Sequence, residues 1–73
     1  MPEWIAGVLE GWEFDELNGS YCKLIEGIYV DAFVAQDWTF IDLSLGGTPY
    51  RITRLISKCV FNRIIHNFIA IGR

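Results

Sequence analysis

Two short stretches of the chain combine aromatic, amide and charged side chains that suit contact with nucleobases. The first is Gln36-Asp37-Trp38-Thr39 and the second is Asn62-Arg63. An indole ring stacks on a base at about 1–3 kcal/mol, amides hydrogen-bond base edges, and arginine adds charge or a cation–π contact. The structural alternatives are a packed indole for Trp38, an ion pair for Arg63, and a carboxylate that accepts backbone amides for Asp37.

Other site chemistries lack the residues they need. His66 is the only histidine, and Cys22 and Cys59 are 37 positions apart with no CxxC, so neither a zinc site nor a disulfide is indicated and two buried free thiols are expected. No GxSxG, HExxH or P-loop motif occurs, and Gly46-Gly47-Thr48 has no lysine to bind phosphate. We therefore expect no enzyme activity, no metal and no cofactor.

Composition indicates one small domain, residues 1–73, that associates with itself. The chain has 73 residues, of which 52% are apolar, and its mean hydropathy of +0.29 is too high for a disordered protein. No apolar run approaches the roughly 20 residues of a membrane span. The start Met1-Pro2-Glu3-Trp4 lacks the basic residues of a signal peptide, so we expect a cytoplasmic protein without membrane contact.

Charge is divided unequally between the two halves of the sequence. All nine acids lie between Glu3 and Asp42 with only one base among them, which gives residues 1–42 a charge of −8 and residues 43–73 a charge of +5. Three interpretations of this uneven charge remain open. The acidic and basic regions of neighbouring subunits attract each other, the basic region contacts phosphates, or the charges are ordinary solvated surface charges. The bases in question are Arg51, Arg54, Lys58, Arg63 and Arg73.

Periodicity predicts one helix followed by five short strands. Trp4, Ile5, Val8, Leu9 and Trp12 have the spacing of one helix face, although a strand with an Asn18-Gly19 turn is an alternative. Residues 13–20 are interpreted as a polar segment that connects the helix to the first strand. A helix also fits residues 52–60, but the apolar face then shifts by half a turn, which favours strands. The predicted helix spans about 2–12, and the predicted strands span about 21–26, 28–36, 38–45, 50–61 and 64–71.

This order of elements, together with two motifs, resembles the Sm-like family, which includes the bacterial RNA chaperone Hfq. Residues 24–41, LIEGIYVDAFVAQDWTFI, are similar to the first Sm motif, with Glu26-Gly27 at its turn and Asp37 at its aspartate. Residues 56–69, ISKCVFNRIIHNFI, are similar to the second motif of Hfq-like chains. Asn62-Arg63 replaces the Lys-His or Arg-Gly pair of the family, and no asparagine follows Asp37.

The resemblance implies a small five-stranded barrel that assembles into a homo-oligomeric ring of five to seven copies. In the family the loop after the second strand and the turn before the last strand meet near the ring pore. Single-stranded U- or A-rich RNA is then the implied partner, bound by Gln36, Asp37, Trp38, Thr39, Asn62 and Arg63.

Two further functions remain open from the sequence alone. One is a small acidic module or inhibitor, of the kind many phages encode, whose negative half meets a basic protein partner. The other is a structural ring that binds no nucleic acid.

Overall fold

The structure is a computed structural model that describes residues 1–53 and 55–72. The chain begins with helix α1 and ends with helix α2, and five strands lie between them. Their bounds are α1 Glu3–Val8, β1 Glu13–Asp15, β2 Ser20–Ile25, β3 Ile28–Val34, β4 Ile41–Ser44, β5 Tyr50–Ile52 and α2 Lys58–Gly72. The prediction of a mainly β chain with an N-terminal helix is confirmed. The number of strands also equals the predicted five, but β1 lies in the segment interpreted as a link, and the predicted last strand is part of a second helix.

The five strands form one antiparallel sheet in which each strand pairs with its neighbours in the sequence. The predicted turn at Glu26-Gly27 is confirmed, since φ is 51° and 79° at these residues, as in a two-residue type I′ hairpin. Strands β1 and β5 lie at opposite edges and do not pair with each other. The sheet of the described residues is therefore open rather than closed into the predicted barrel.

The core lies between one face of this sheet and the two helices. Phe61, Ile65 and Ile69 recur every four residues along α2, so they share one helix face, and each is at most 1% exposed. From α1, Ile5 and Val8 join the same cluster. Four strand residues of the cluster alternate along β3 and β4 and are fully buried: Val30, Ala32, Ile41 and Leu43. Ile52 of β5, which is 5% exposed, also belongs to it.

The strands predicted over 50–61 and 64–71 are wrong in their extent and type. Strand β5 ends at Ile52, and a single helix occupies residues 58–72. The half-turn shift in the apolar pattern lies between Val60 and Phe61, inside this helix. It arises because Cys59 and Val60 of the first helical turn are exposed, whereas the buried stripe of α2 begins at Phe61. Ser57 provides the start signal, because its hydroxyl accepts the Val60 N–H at 3.2 Å and caps the new helix.

The N-terminal region also differs from the prediction. Helix α1 ends at Val8, and the chain turns away at Gly11, whose φ of 85° an L-residue rarely adopts. The segment interpreted as a link contains strand β1, which pairs with β2 across a turn that ends at Gly19. The three residues of β1 are too few for their alternation of polar and apolar side chains to indicate a strand unless the pairing with β2 is known.

The packing of the core predicts that substitutions at two neighbouring positions of α2 change the free energy of unfolding by very different amounts. Replacing Phe61 with alanine removes a fully buried ring, and we expect the free energy of unfolding to fall by about 3–5 kcal/mol. The exposed neighbour Asn62 provides the control. Asn62→Ala is expected to change the free energy of unfolding by less than about 0.5 kcal/mol. Urea denaturation followed by circular dichroism measures both, and equal losses would contradict this packing.

Candidate functional site

The turn between β3 and β4 holds four of the six residues predicted to bind RNA. Its backbone is fixed by two hydrogen bonds, from the Ala35 N–H to the Phe40 carbonyl at 3.1 Å and from the Trp38 N–H to the Ala35 carbonyl at 2.9 Å. The Asp37 carboxylate accepts the Thr39 hydroxyl at 2.8 Å and the Thr39 N–H at 3.3 Å. Asp37 therefore has the structural role in this turn that was one of its two interpretations.

These hydrogen bonds also lower the pKa of the Asp37 carboxyl below its ordinary value. The Thr39 hydroxyl contributes most and the Thr39 N–H follows, because both stabilise the ionised form. A depressed pKa in the folded state means that the stabilisation is complete above the unfolded pKa and is lost as pH falls through the folded one.

Trp38 stands at the tip of this turn in a conformation that is uncommon for its residue type. Its φ is 58°, and 46% of its surface is exposed. Gln36 and Thr39 beside it are also exposed. Holding a bulky residue in the left-handed region costs on the order of 1 kcal/mol or more, so the turn holds the Trp38 backbone at the cost of some strain.

Asn62 and Arg63, the other two predicted residues, lie on the exposed side of α2, away from the core. His66, one turn further along, lies 2.9 Å from a carboxylate oxygen of Glu26 in the β2–β3 turn. No described hydrogen bond, ion pair or ring contact joins Asn62 or Arg63 to the β3–β4 turn. The structure thus brings Gln36 to Thr39 together in one turn and places the remaining pair on a separate element.

The face of the sheet opposite the helices carries a cluster that sequence analysis did not identify. Because side chains alternate along a strand, burying Val30 and Ala32 turns Tyr29, Asp31 and Phe33 to the other side. The strand register extends this set across the sheet. We call it the open face, and its members are Glu13, Asp15, Ser20, Cys22, Leu24, Tyr29, Asp31, Phe33, Asp42, Ser44 and Arg51.

Negative charge surrounds the middle of the open face. Cys22 lies opposite Glu13 on one side and Asp31 on the other. Desolvation raises the pKa of the Cys22 thiol, and the charges of Asp15, Asp31 and Glu13 raise it further. The thiol therefore stays neutral near pH 7 and is a poor nucleophile. Both cysteines are free, but the prediction of burial is wrong, since Cys22 is half-buried and Cys59 is exposed.

The one arginine on the open face is held by a carboxylate and an aromatic ring. Arg51 Nε lies 2.8 Å from Asp42 Oδ1, and Nη2 lies 3.0 Å from Oδ2, which makes a bidentate pair. The guanidinium carbon lies 3.7 Å from the Phe40 ring centroid. The hydrogen bond to Asp42 raises the pKa of Arg51. This pair neutralises itself, so the net charge of the open face comes from Glu13, Asp15 and Asp31.

Arg54 and Arg73, two of the five bases considered for phosphate contact, lie outside the described residues. Among those described, no group of three histidine, cysteine or acidic side chains could hold a metal ion. No helix in the described part of the chain has the length and apolar character needed to cross a membrane. Comparison with protein-family models, curated proteins and solved structures gives no match.

The alternation of Tyr29, Asp31 and Phe33 with buried residues was visible in the sequence and could have indicated half of the open face. The contribution of Glu13 and Asp15 was not visible, because it depends on pairing between β1 and β2.

The hydrogen bonds of the β3–β4 turn predict that replacing the Thr39 hydroxyl with a methyl group shifts the pKa of Asp37. Thr39→Val removes the shorter hydrogen bond to Asp37, and we expect the Asp37 pKa to rise toward 3.8. The wild-type protein should lose stability as pH falls below about 4, and the variant should lose less over the same range. Carboxyl NMR titration measures the pKa, and identical titration of Asp37 in both proteins would contradict the hydrogen-bonded turn.

Proposed function

We propose that this protein is a protein-binding module whose open face binds a basic, partly apolar segment of a partner. The observation that carries the proposal is the mixture on that face of exposed apolar side chains and three carboxylates without a basic partner on it. Tyr29 is 68% exposed and Leu24 is 54% exposed, while Phe33 lies half-buried between them and the Asp42–Arg51 pair.

The two kinds of side chain contribute differently to binding. Removing Leu24, Tyr29 and Phe33 from water supplies affinity, and aromatic residues often dominate such interfaces. The carboxylates of Glu13, Asp15 and Asp31 attract a basic segment and disfavour an acidic one. No described ion pair involves these three carboxylates. Asp15 Oδ1 accepts the Leu17 and Asn18 N–H groups of the β1–β2 turn at 3.1 and 3.3 Å, so Glu13 and Asp31 are the carboxylates best placed to meet lysine or arginine side chains of a partner.

Binding of single-stranded U- or A-rich RNA is a second candidate, which the resemblance to the Sm-like family implies. The specific support is the exposed Trp38 ring, presented at a fixed turn between Gln36 and Thr39. Ring assembly of five to seven copies belongs to this candidate. It requires Asn62 and Arg63 to approach the turn of the same or a neighbouring copy, and it uses a surface other than the open face.

Backbone NMR titration with two probes distinguishes these candidates. One probe is a synthetic peptide of alternating lysine and leucine, with an alternating glutamate–leucine peptide as its control. The other is oligo-U or oligo-A. We expect the lysine peptide to shift resonances of Cys22, Tyr29 and Asp31 and to bind more weakly as salt rises. Shifts confined to residues 36–39 and Arg63 on addition of RNA would instead support the second candidate.

Substitution of the most exposed aromatic residue tests the proposed surface. Tyr29→Ala should weaken binding of the lysine–leucine peptide by about 10- to 100-fold, since a central interface aromatic contributes roughly 1–3 kcal/mol. Trp38→Ala is the matched control, because it also removes an exposed ring but lies off the open face. Isothermal titration calorimetry measures both. An equal loss in the two variants, or no loss in Tyr29→Ala, would contradict binding at the open face.

A further inference from the structure

A groove runs between α2 and the β5 edge of the sheet, on the side away from the open face. It consists of three adjoining depressions of about 400, 180 and 420 Å³ that share lining residues with one another. Tyr50 and Ile64 line the first two, and Phe68 and Ile71 line the second and third. The side chains along its length are mainly apolar: Tyr50, Ile56, Val60, Ile64, Phe68 and Ile71.

The groove exists because one helix is too narrow for this sheet. Five strands place the outer two about 19 Å apart, whereas a helix with its side chains is about 10–12 Å wide. The other helix of the molecule, α1, has only six residues. The β5 side of the core therefore remains uncovered, and Tyr50 is 48% exposed, Val60 38% and Ile71 85%.

The edge of β5 beside this groove has hydrogen-bonding groups that point outward. The bond from the Ala35 N–H to the Phe40 carbonyl makes these two residues a hydrogen-bonded pair, and such pairs alternate along an antiparallel ladder. Continuing the alternation through β4, Ile52 bonds to β4. Arg51 then directs its backbone N–H and C=O groups away from the sheet, and we extend the same alternation by one residue past the end of β5 to Thr53. A strand that lies beside β5 can accept and donate at both positions.

We propose that a second copy of this chain covers the groove, with the two β5 strands antiparallel about a two-fold axis at Ile52. In this register Arg51 of each copy faces Thr53 of the other, so the pair of edges forms four backbone hydrogen bonds. Registers centred nearer the N-terminus bring in Pro49, which has no N–H to donate. The proposal goes beyond the proposed function and does not depend on it.

Charge and apolar surface favour a second copy as the occupant. Among the described residues that line the three depressions, Arg51 alone is charged, and its guanidinium is already paired with Asp42 on the opposite face. The two-fold axis sets Val60 and Ile64 of one copy toward the same residues of the other, so apolar surface meets apolar surface and none of the described lining residues brings an unpaired charge into the contact. An apolar content of 52% in a chain this short is consistent with such a contact.

The dimer has a geometric consequence for the open face. A two-fold axis perpendicular to the sheet joins the two sheets into one of ten strands and keeps all helices on one side. Both open faces then lie on the other side, so one dimer presents two copies of the acidic and aromatic surface.

Sedimentation velocity over a micromolar concentration series tests the proposal. We expect wild type to reach twice the chain mass of 8.4 kDa. Val60→Asp places a carboxylate in the contact and should raise the dimer dissociation constant by about 100-fold. Ala70→Asp is the control, since it introduces the same charge at an exposed position elsewhere on α2 and should leave the constant unchanged.

A second pair of variants tests the strand contact itself. Thr53→Pro removes the outward N–H and should weaken the dimer at least about tenfold, whereas Thr53→Ala retains the N–H and should not. Circular dichroism verifies that each variant is folded, and this pair decides the matter if Val60→Asp does not fold. A chain that stays at 8.4 kDa throughout the series, a ring of five or more copies, or equal weakening by Ala70→Asp overturns the proposal.

Discussion

The packing of α2 onto a single face of the sheet is the constraint on which the other features depend. Phe61, Ile65 and Ile69 supply a stripe that is buried in one cluster with the alternating residues of β3 and β4. Once that face is buried, the period of two along each strand decides which side chains remain outside. The acids and aromatic residues of the open face are thus placed together by the core, although they are far apart in the sequence.

The same packing explains why the molecule has two distinct surfaces available for contact. The helix is too narrow to cover the whole core face, which leaves the apolar groove beside β5. No helix of the described residues covers the opposite face, and its acidic side chains keep it hydrated. An apolar groove suits a copy of the same chain, and an acidic face with aromatic side chains suits a basic partner, so the two surfaces have different chemical roles.

Patterns of a few neighbouring residues in the sequence predicted those parts of the fold that contacts between neighbouring residues determine. The Glu26-Gly27 hairpin and the alternation of β3 were readable because turn geometry and strand period act over a few residues. Helix α2 was misread because its apolar stripe was joined to that of β5, and the cap at Ser57 that separates them was overlooked. The three residues of β1 are a strand only by virtue of their pairing with β2.

The candidate site divides in the same way. The turn at 36–39 and the structural role of Asp37 followed from neighbouring residues, whereas the open face requires four strand pairings that no short motif records. The resemblance to the Sm-like family placed Asn62 and Arg63 in a turn, and they lie instead on a helix, because the segment from Lys58 onward has a helical apolar period.

The measurement that tests this account most directly is the NMR assignment of residues 58–72 together with contacts between the Trp12 and Phe61 rings. The account predicts helical Cα shifts throughout this segment and nuclear Overhauser effects between the two rings, whose centroids are 6.0 Å apart. Strand-type shifts over 64–71 without those contacts would contradict it.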